Sequence, residues 1–77
     1  MSQSSSIEEL LKKIDDPSID EKTRIEYAYM VAEQAPLYQG YAHRLDHLQQ
    51  HARDRGETHL AKEIGKAATR LRERHRQ

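Results

Sequence analysis

Three imidazoles recur at His43, His47 and His51, a four-residue spacing that sets neighbouring rings on one face of a helix. Two histidines so placed can ligate zinc, nickel or copper. The surrounding residues do not complete a familiar centre. No glutamate follows as in a His-Glu-x-x-His zinc helix, and no Glu-x-x-His pair of the di-iron bundle kind occurs. On a helical wheel His43 lies opposite the apolar stripe Leu37, Tyr41, Leu45, Leu48 and Ala52, and His51 lies at its edge. The three read as a solvated face, and neither metal nor cofactor is expected. A metal pair and a proton-sensitive contact are the other readings of the same spacing.

A second set with chemical potential is Lys62, Lys66, Arg70 and Arg74, again four apart, beside His59. Like charges at that spacing repel by a few tenths of a kcal/mol each, about 0.2–0.5. The helix dipole offsets part of this near a C-terminus, and an anionic partner would offset the rest. Catalytic groups are scarce. The chain has no cysteine, its serines fall in the N-terminal tail and at expected helix caps, and no glycine-rich phosphate loop is present. The acidic residues fall mostly in caps or in i,i+4 pairs. An enzyme is not expected.

The elements that must position these groups follow from apolar periodicity. Ser6 with Glu9 reads as a capping box opening a short helix whose face is Ile7, Leu10, Leu11 and Ile14. Residues 1–5 form a polar tail expected to be disordered, and residues 6–77 one helical domain. Asp15-Asp16-Pro17 ends the first helix, because a residue before proline is pushed out of the α region. Ser18 with Glu21 reads as a second box, for a helix running to about Gln34. Ile25, Ala28, Tyr29 and Ala32 form its inner face, flanked by Val31 and Ala35. Tyr27 and Met30 lie on the other side, so this helix is either buried all round or carries a second contact surface.

Pro36 suits the first position of a third helix carrying the Leu37–Ala52 stripe. Gly40 within it suggests a close helix crossing, and Gly56 after Arg53 and Arg55 suits a left-handed C-terminal cap. Thr58 can cap a last helix with the stripe Leu60, Ile64, Ala67 and Leu71. No strand alternation and no internal repeat appears. The expected fold is all-α: a small bundle of three longer helices and one short N-terminal helix.

Size sets the energetics. The 77 residues are 35% apolar, with no Phe, Trp or Cys, so neither disulfides nor a cysteine-bound zinc can supplement a thin core. Tight helix packing and self-association are the remaining routes to stability; a homodimer is expected, and Tyr27, Met30 and Tyr38 are its candidate contacts. Net charge is zero but polarised: residues 1–35 hold four basic and eight acidic side chains, residues 53–77 eight basic and four acidic. Either the two ends lie side by side, or the basic end meets an anionic partner. Residues 1–6 are polar with no apolar run behind them, so no signal sequence is expected. Nor does any stretch reach the roughly 18 apolar residues of a membrane span. A cytoplasmic protein with no membrane partner is expected.

The segment Leu60-Ala61-Lys62-Glu63-Ile64-Gly65-Lys66-Ala67 resembles the bacterial helix-turn-helix pattern, in which a glycine four residues after Leu-Ala makes the turn. Leu60, Ala61, Ile64, Gly65 and Leu71 match its apolar and turn positions. Lys66 stands where an apolar residue is usual, and Ala67 where serine or threonine is usual. The resemblance implies that Thr69, Arg70, Arg72 and Arg74 lie on a recognition helix facing a major groove. Gly65 reads equally well as a small residue within one straight helix. The leading expectation is a non-enzymatic regulator, inhibitor or adaptor acting by protein–protein association, of a size suited to a phage or other mobile element. The candidate partner-binding residues are Tyr27, Met30, Tyr38, Lys62, Lys66, Arg70 and Arg74. The alternative is a DNA-binding protein using Leu60–Arg74.

Overall fold

Four helices, α1 (Gln3–Ile14), α2 (Glu21–Gln34), α3 (Gln39–Asp54) and α4 (Thr58–Arg76), make up the computed structural model, which describes residues 3–76. No strand occurs among the described residues. The helices form a flattened body of 33 × 28 × 17 Å with a radius of gyration of 11.5 Å. The longest, α4, packs against both α3 and α2, while α1 lies on α2 and touches α3 at fewer points.

The core explains the flattening. Of the buried apolar side chains, Ala28, Ala32, Ala35, Ala42, Ala52, Ala61, Ala67 and Ala68 are alanines, set among Ile7, Leu11, Ile14, Val31, Tyr41, Leu45, Leu60, Ile64 and Leu71. Small side chains let helix axes approach closely, so layers built on alanine stay thin. The α4 stripe expected from the sequence is the one buried, with Ala61 and Ala68 added. On α2 the buried face is Arg24, Ala28, Val31, Ala32 and Ala35, rotated from expectation so that Ile25 and Tyr29 are only half-buried.

Several boundaries differ from the sequence reading. α1 begins at Gln3, so Ser6 lies inside it and caps nothing. Serine costs only tenths of a kcal/mol in a helix, and a turn continuous with a docked helix carries it. Of the expected disordered tail, Met1 and Ser2 fall outside the described residues. α2 is capped by Asp20 instead of Ser18. The Asp20 carboxylate accepts from the Thr23 backbone N–H at 3.2 Å and from the Thr23 hydroxyl at 2.8 Å. Ser18 is taken by Asp16, which accepts from its N–H and its hydroxyl at 2.9 and 2.7 Å in a tight aspartate turn.

Pro36 opens no helix. Ala35, placed before the proline, takes an extended conformation (φ −64°, ψ 140°) and ends α2. α3 starts only at Gln39, after Tyr38, which is extended and makes no side-chain cap. Leu37 therefore sits in the connection at 65% exposure instead of in the α3 stripe.

The α3–α4 turn follows expectation at Gly56, whose φ is +78°. Gly56 N–H donates to Arg53 O at 3.0 Å and Glu57 N–H to Ala52 O at 2.8 Å, the paired bonds of a Schellman cap. Thr58 is not the cap of α4, for the Glu57 carbonyl accepts the first bond of that helix, from Ala61 N–H at 2.9 Å. α4 runs without interruption from Thr58 to Arg76. The turn that a helix-turn-helix across Leu60–Arg74 needs at Gly65 is absent, and Gly65 lies mid-helix against the Gln49 side chain of α3.

Candidate partner-binding surface

Exposed large apolar side chains occur, among the described residues, at Met30, Leu37 and Tyr38, which are 37%, 65% and 65% exposed. All three belong to the second half of α2 and the connection that follows it. Met30 faces away from the core because it lies on the side of α2 opposite Ala28, Val31 and Ala35. Leu37 and Tyr38 are outside because Pro36 delays α3.

Tyr38 is exposed yet fixed. Its ring meets Tyr41 edge-to-face, with centroids 5.6 Å apart and planes at 87°, a favoured aromatic geometry. The same ring lies against Gly40, where a Cβ would collide with Cζ at 2.6 Å. The glycine that suggested a helix crossing instead makes room for this ring on the first turn of α3. An aromatic group held in place loses little freedom when a partner covers it.

The other candidates separate. Tyr27 is half-buried against the core, with the Lys13 ammonium 5.8 Å from its ring centroid. Arg74 donates to the carbonyls of Ala32 and Ala35, closing the C-terminal end of α2, a role for a basic side chain that the macrodipole favours. The Arg70 guanidinium stacks 4.9 Å above the Tyr29 ring and lies 4.0 Å from the Glu33 carboxylate. Lys66 pairs with Glu63 at 3.2 Å, and Lys62 is exposed. The basic ladder thus divides. Arg70 and Arg74 serve the α2–α4 contact, at the end of α2 that carries the exposed apolar residues, while Lys62 and Lys66 remain along the α3–α4 seam.

Ion pairs join separate elements of the fold, two of them linking the acidic first half to the second half and one linking α3 to α4. Arg44 pairs with Glu8 at 2.8 Å, Arg55 with Asp15 at 2.6 Å and Arg72 with Asp46 at 2.5 Å. Arg24 is the one buried charge among the described residues, 3% exposed, and went unnoticed in the sequence. Its Nε donates to the Ile14 carbonyl at 2.9 Å, and its Nη1 and Nη2 donate to Glu57 at 2.9 and 3.4 Å. The Arg24 hydrogen bond holds the Glu57 carboxyl below its ordinary value. Tyr29 donates to Glu63 at 2.8 Å. Burial first, and then that carboxylate, pushes the Tyr29 phenol up.

The histidines lie outside this surface. His43, His47 and His51 are exposed, and His51 Nδ1 is 3.5 Å from Asp15. Among the described residues no group of three His, Asp or Glu side chains is arranged to hold a metal ion, and no helix is long and apolar enough to cross a membrane. Comparison with protein-family models, with curated proteins and with solved structures finds no match to this chain.

Proposed function

We propose that the chain is a small, non-enzymatic regulator, inhibitor or adaptor that works in the cytoplasm by protein–protein association, beginning with a second copy of itself. The observation that carries this reading is the corner formed by Met30, Leu37 and Tyr38, where large apolar groups stay in water although one of them is pinned in a defined orientation. An alanine-rich core leaves little large apolar surface buried within one chain, so covering this corner adds stabilisation that the isolated fold lacks. Arg70 and Glu33 beside it supply a charged rim.

Light scattering across micromolar to millimolar concentrations tests the reading, with wild type beside Leu37→Asp/Tyr38→Asp. Wild type is expected to shift from monomer to dimer mass, and the variant to stay monomeric with unchanged helicity. Aspartate at position 38 also suits a residue preceding a helix, so the variant should not weaken α3. A monomer mass for wild type throughout removes the self-association. A tagged wild-type chain retaining no host protein beyond those retained by the variant removes the wider association.

A further inference from the structure

Two open grooves lie end to end along the α3–α4 seam and share Arg72. The first, about 580 Å³, is flanked by Arg53, Lys62, Lys66 and Arg72, with Asp46 as its one carboxylate. The second, about 410 Å³, continues to Arg76, with His43 and His75 at its sides. Together they form a track with five cationic side chains and one anion. Lys62 and Lys66 are separated by about 6 Å of helix rise, Lys66 and Arg72 by about 9 Å, and Arg72 and Arg76 by about 6 Å. Three further carboxylates flank the track: Glu63, paired with Lys66 at 3.2 Å, Glu73 on α4, and Asp54 on α3, which accepts from Gln50.

Among the described residues two of the track's five cations, Lys66 and Arg72, already have carboxylate partners, and three do not. Among the described residues Arg24, Arg44, Arg55, Arg70, Arg72 and Arg74 each have a carboxylate or carbonyl partner. The two arginines without one, Arg53 and Arg76, both line it, as does the unpaired Lys62. At the middle of the track the Gln49 amide lies over Gly65, and Thr58 and Thr69 line the walls, the Thr69 hydroxyl donating to the Gly65 carbonyl at 3.1 Å.

We infer that this track binds the phosphodiester backbone of a nucleic acid, without reading its sequence. A shallow groove open to water cannot hold a small anion through burial, so affinity must come from several charges engaged at once along a line. A phosphodiester strand presents anions at regular intervals over the roughly 28 Å of a 19-residue helix, the length of α4. Lysine, arginine, threonine and glutamine side chains are the usual phosphate contacts. No Phe, Tyr or Trp lines either groove, and the imidazoles of His43 and His75 stand only beside the second, so the first groove gives bases nothing to stack on and the contact there is with the backbone. This surface is separate from the Met30–Tyr38 corner, and either reading can fail without the other.

Fluorescence anisotropy with a labelled single strand, the matching duplex and a polyglutamate peptide of equal charge tests the inference over a range of salt. Both nucleic acids are expected to bind at low salt. The log–log salt slope for the duplex should lie between about −2.7 and −4.5, from three to five phosphates at roughly −0.9 each. Arg53→Gln/Lys62→Gln/Arg76→Gln should weaken binding at least tenfold with helicity unchanged. Lys12→Gln/Lys22→Gln, which removes charge from α1 and α2, should change it less than threefold. Leu37→Asp/Tyr38→Asp should leave it intact. No binding by wild type at low salt, or equal losses in the two charge variants, overturns the inference. Polyglutamate bound as tightly as the nucleic acids overturns it too, in favour of an acidic protein segment.

Discussion

Removing Glu57 should harm this protein more than removing the arginine it pairs with. Arg24 is 3% exposed and Glu57 28%, so the two are not equally able to return to water. In Glu57→Ala the guanidinium keeps its bond to the Ile14 carbonyl but is left buried without a counter-charge, at a cost of about 3–4 kcal/mol. In Arg24→Met the stem is replaced at similar volume, and the freed carboxylate can hydrate or lean on Arg55, 3.6 Å away. What remains is the orphaned Ile14 carbonyl, worth about 1–3 kcal/mol, so about 2 kcal/mol is expected. Total stability for 77 residues is of order 4–12 kcal/mol, and each kcal/mol moves the melting temperature by about 4–8 °C. The difference between the variants is therefore readable. Urea unfolding followed by circular dichroism, with the slope compared across variants, gives both values. Arg24→Met/Glu57→Ala should be about as stable as Arg24→Met alone, because the second change then removes a partner already lost. A Glu57→Ala cost below about 1 kcal/mol, or one smaller than that of Arg24→Met, refutes the reasoning.

Acid should unfold the protein by the same logic. Arg24 holds Glu57, Arg44 holds Glu8, and the Tyr29 hydroxyl with Lys66 holds Glu63, all below the ordinary 4.5. Their stabilisation is complete above that value and is lost as pH falls through the lowered folded values; urea midpoints should be flat from pH about 7 to 5 and drop below. Gly56→Ala should cost about 1–2 kcal/mol, since its φ of +78° is disfavoured for side-chain-bearing residues although the space is open. Gly65→Ala should be neutral or stabilising by up to about 1 kcal/mol, because only the swinging end of Gln49 stands in the way; parallel thermal melts decide both. Gly40→Ala should leave the melt unchanged or raised but displace the Tyr38 ring, weakening self-association several-fold in light scattering.

Periodicity made the four-helix arrangement, the α4 stripe and the left-handed Gly56 legible in the sequence, because each is a local pattern with a local cause. What escaped depends on competition between neighbours. Ser18 is a good cap until Asp16 captures it, and Asp20-x-x-Thr23 then takes its place. Arg24 drew no notice, although its position at 24, followed by 28, 31 and 35, puts it in line with Ala28, Val31 and Ala35. That register was the available signal. The partner candidates Tyr38 and Met30 were visible as excess apolar residues. Leu37 was not, because a Pro36-led helix would have turned it inward.

The short turn Arg55-Gly56-Glu57 is exposed at its tip, and exposed turns are ordinarily where a chain tolerates inserted sequence. Here that tolerance should be missing. Glu57 closes α3 with its N–H, opens α4 with its carbonyl and grips Arg24 with its carboxylate, while Arg55 reaches Asp15 beyond the end of α1. The turn is the clasp through which the second helical pair fastens the first. An affinity tag, a fluorophore loop or a new pair of termini introduced there would loosen all four helices at once.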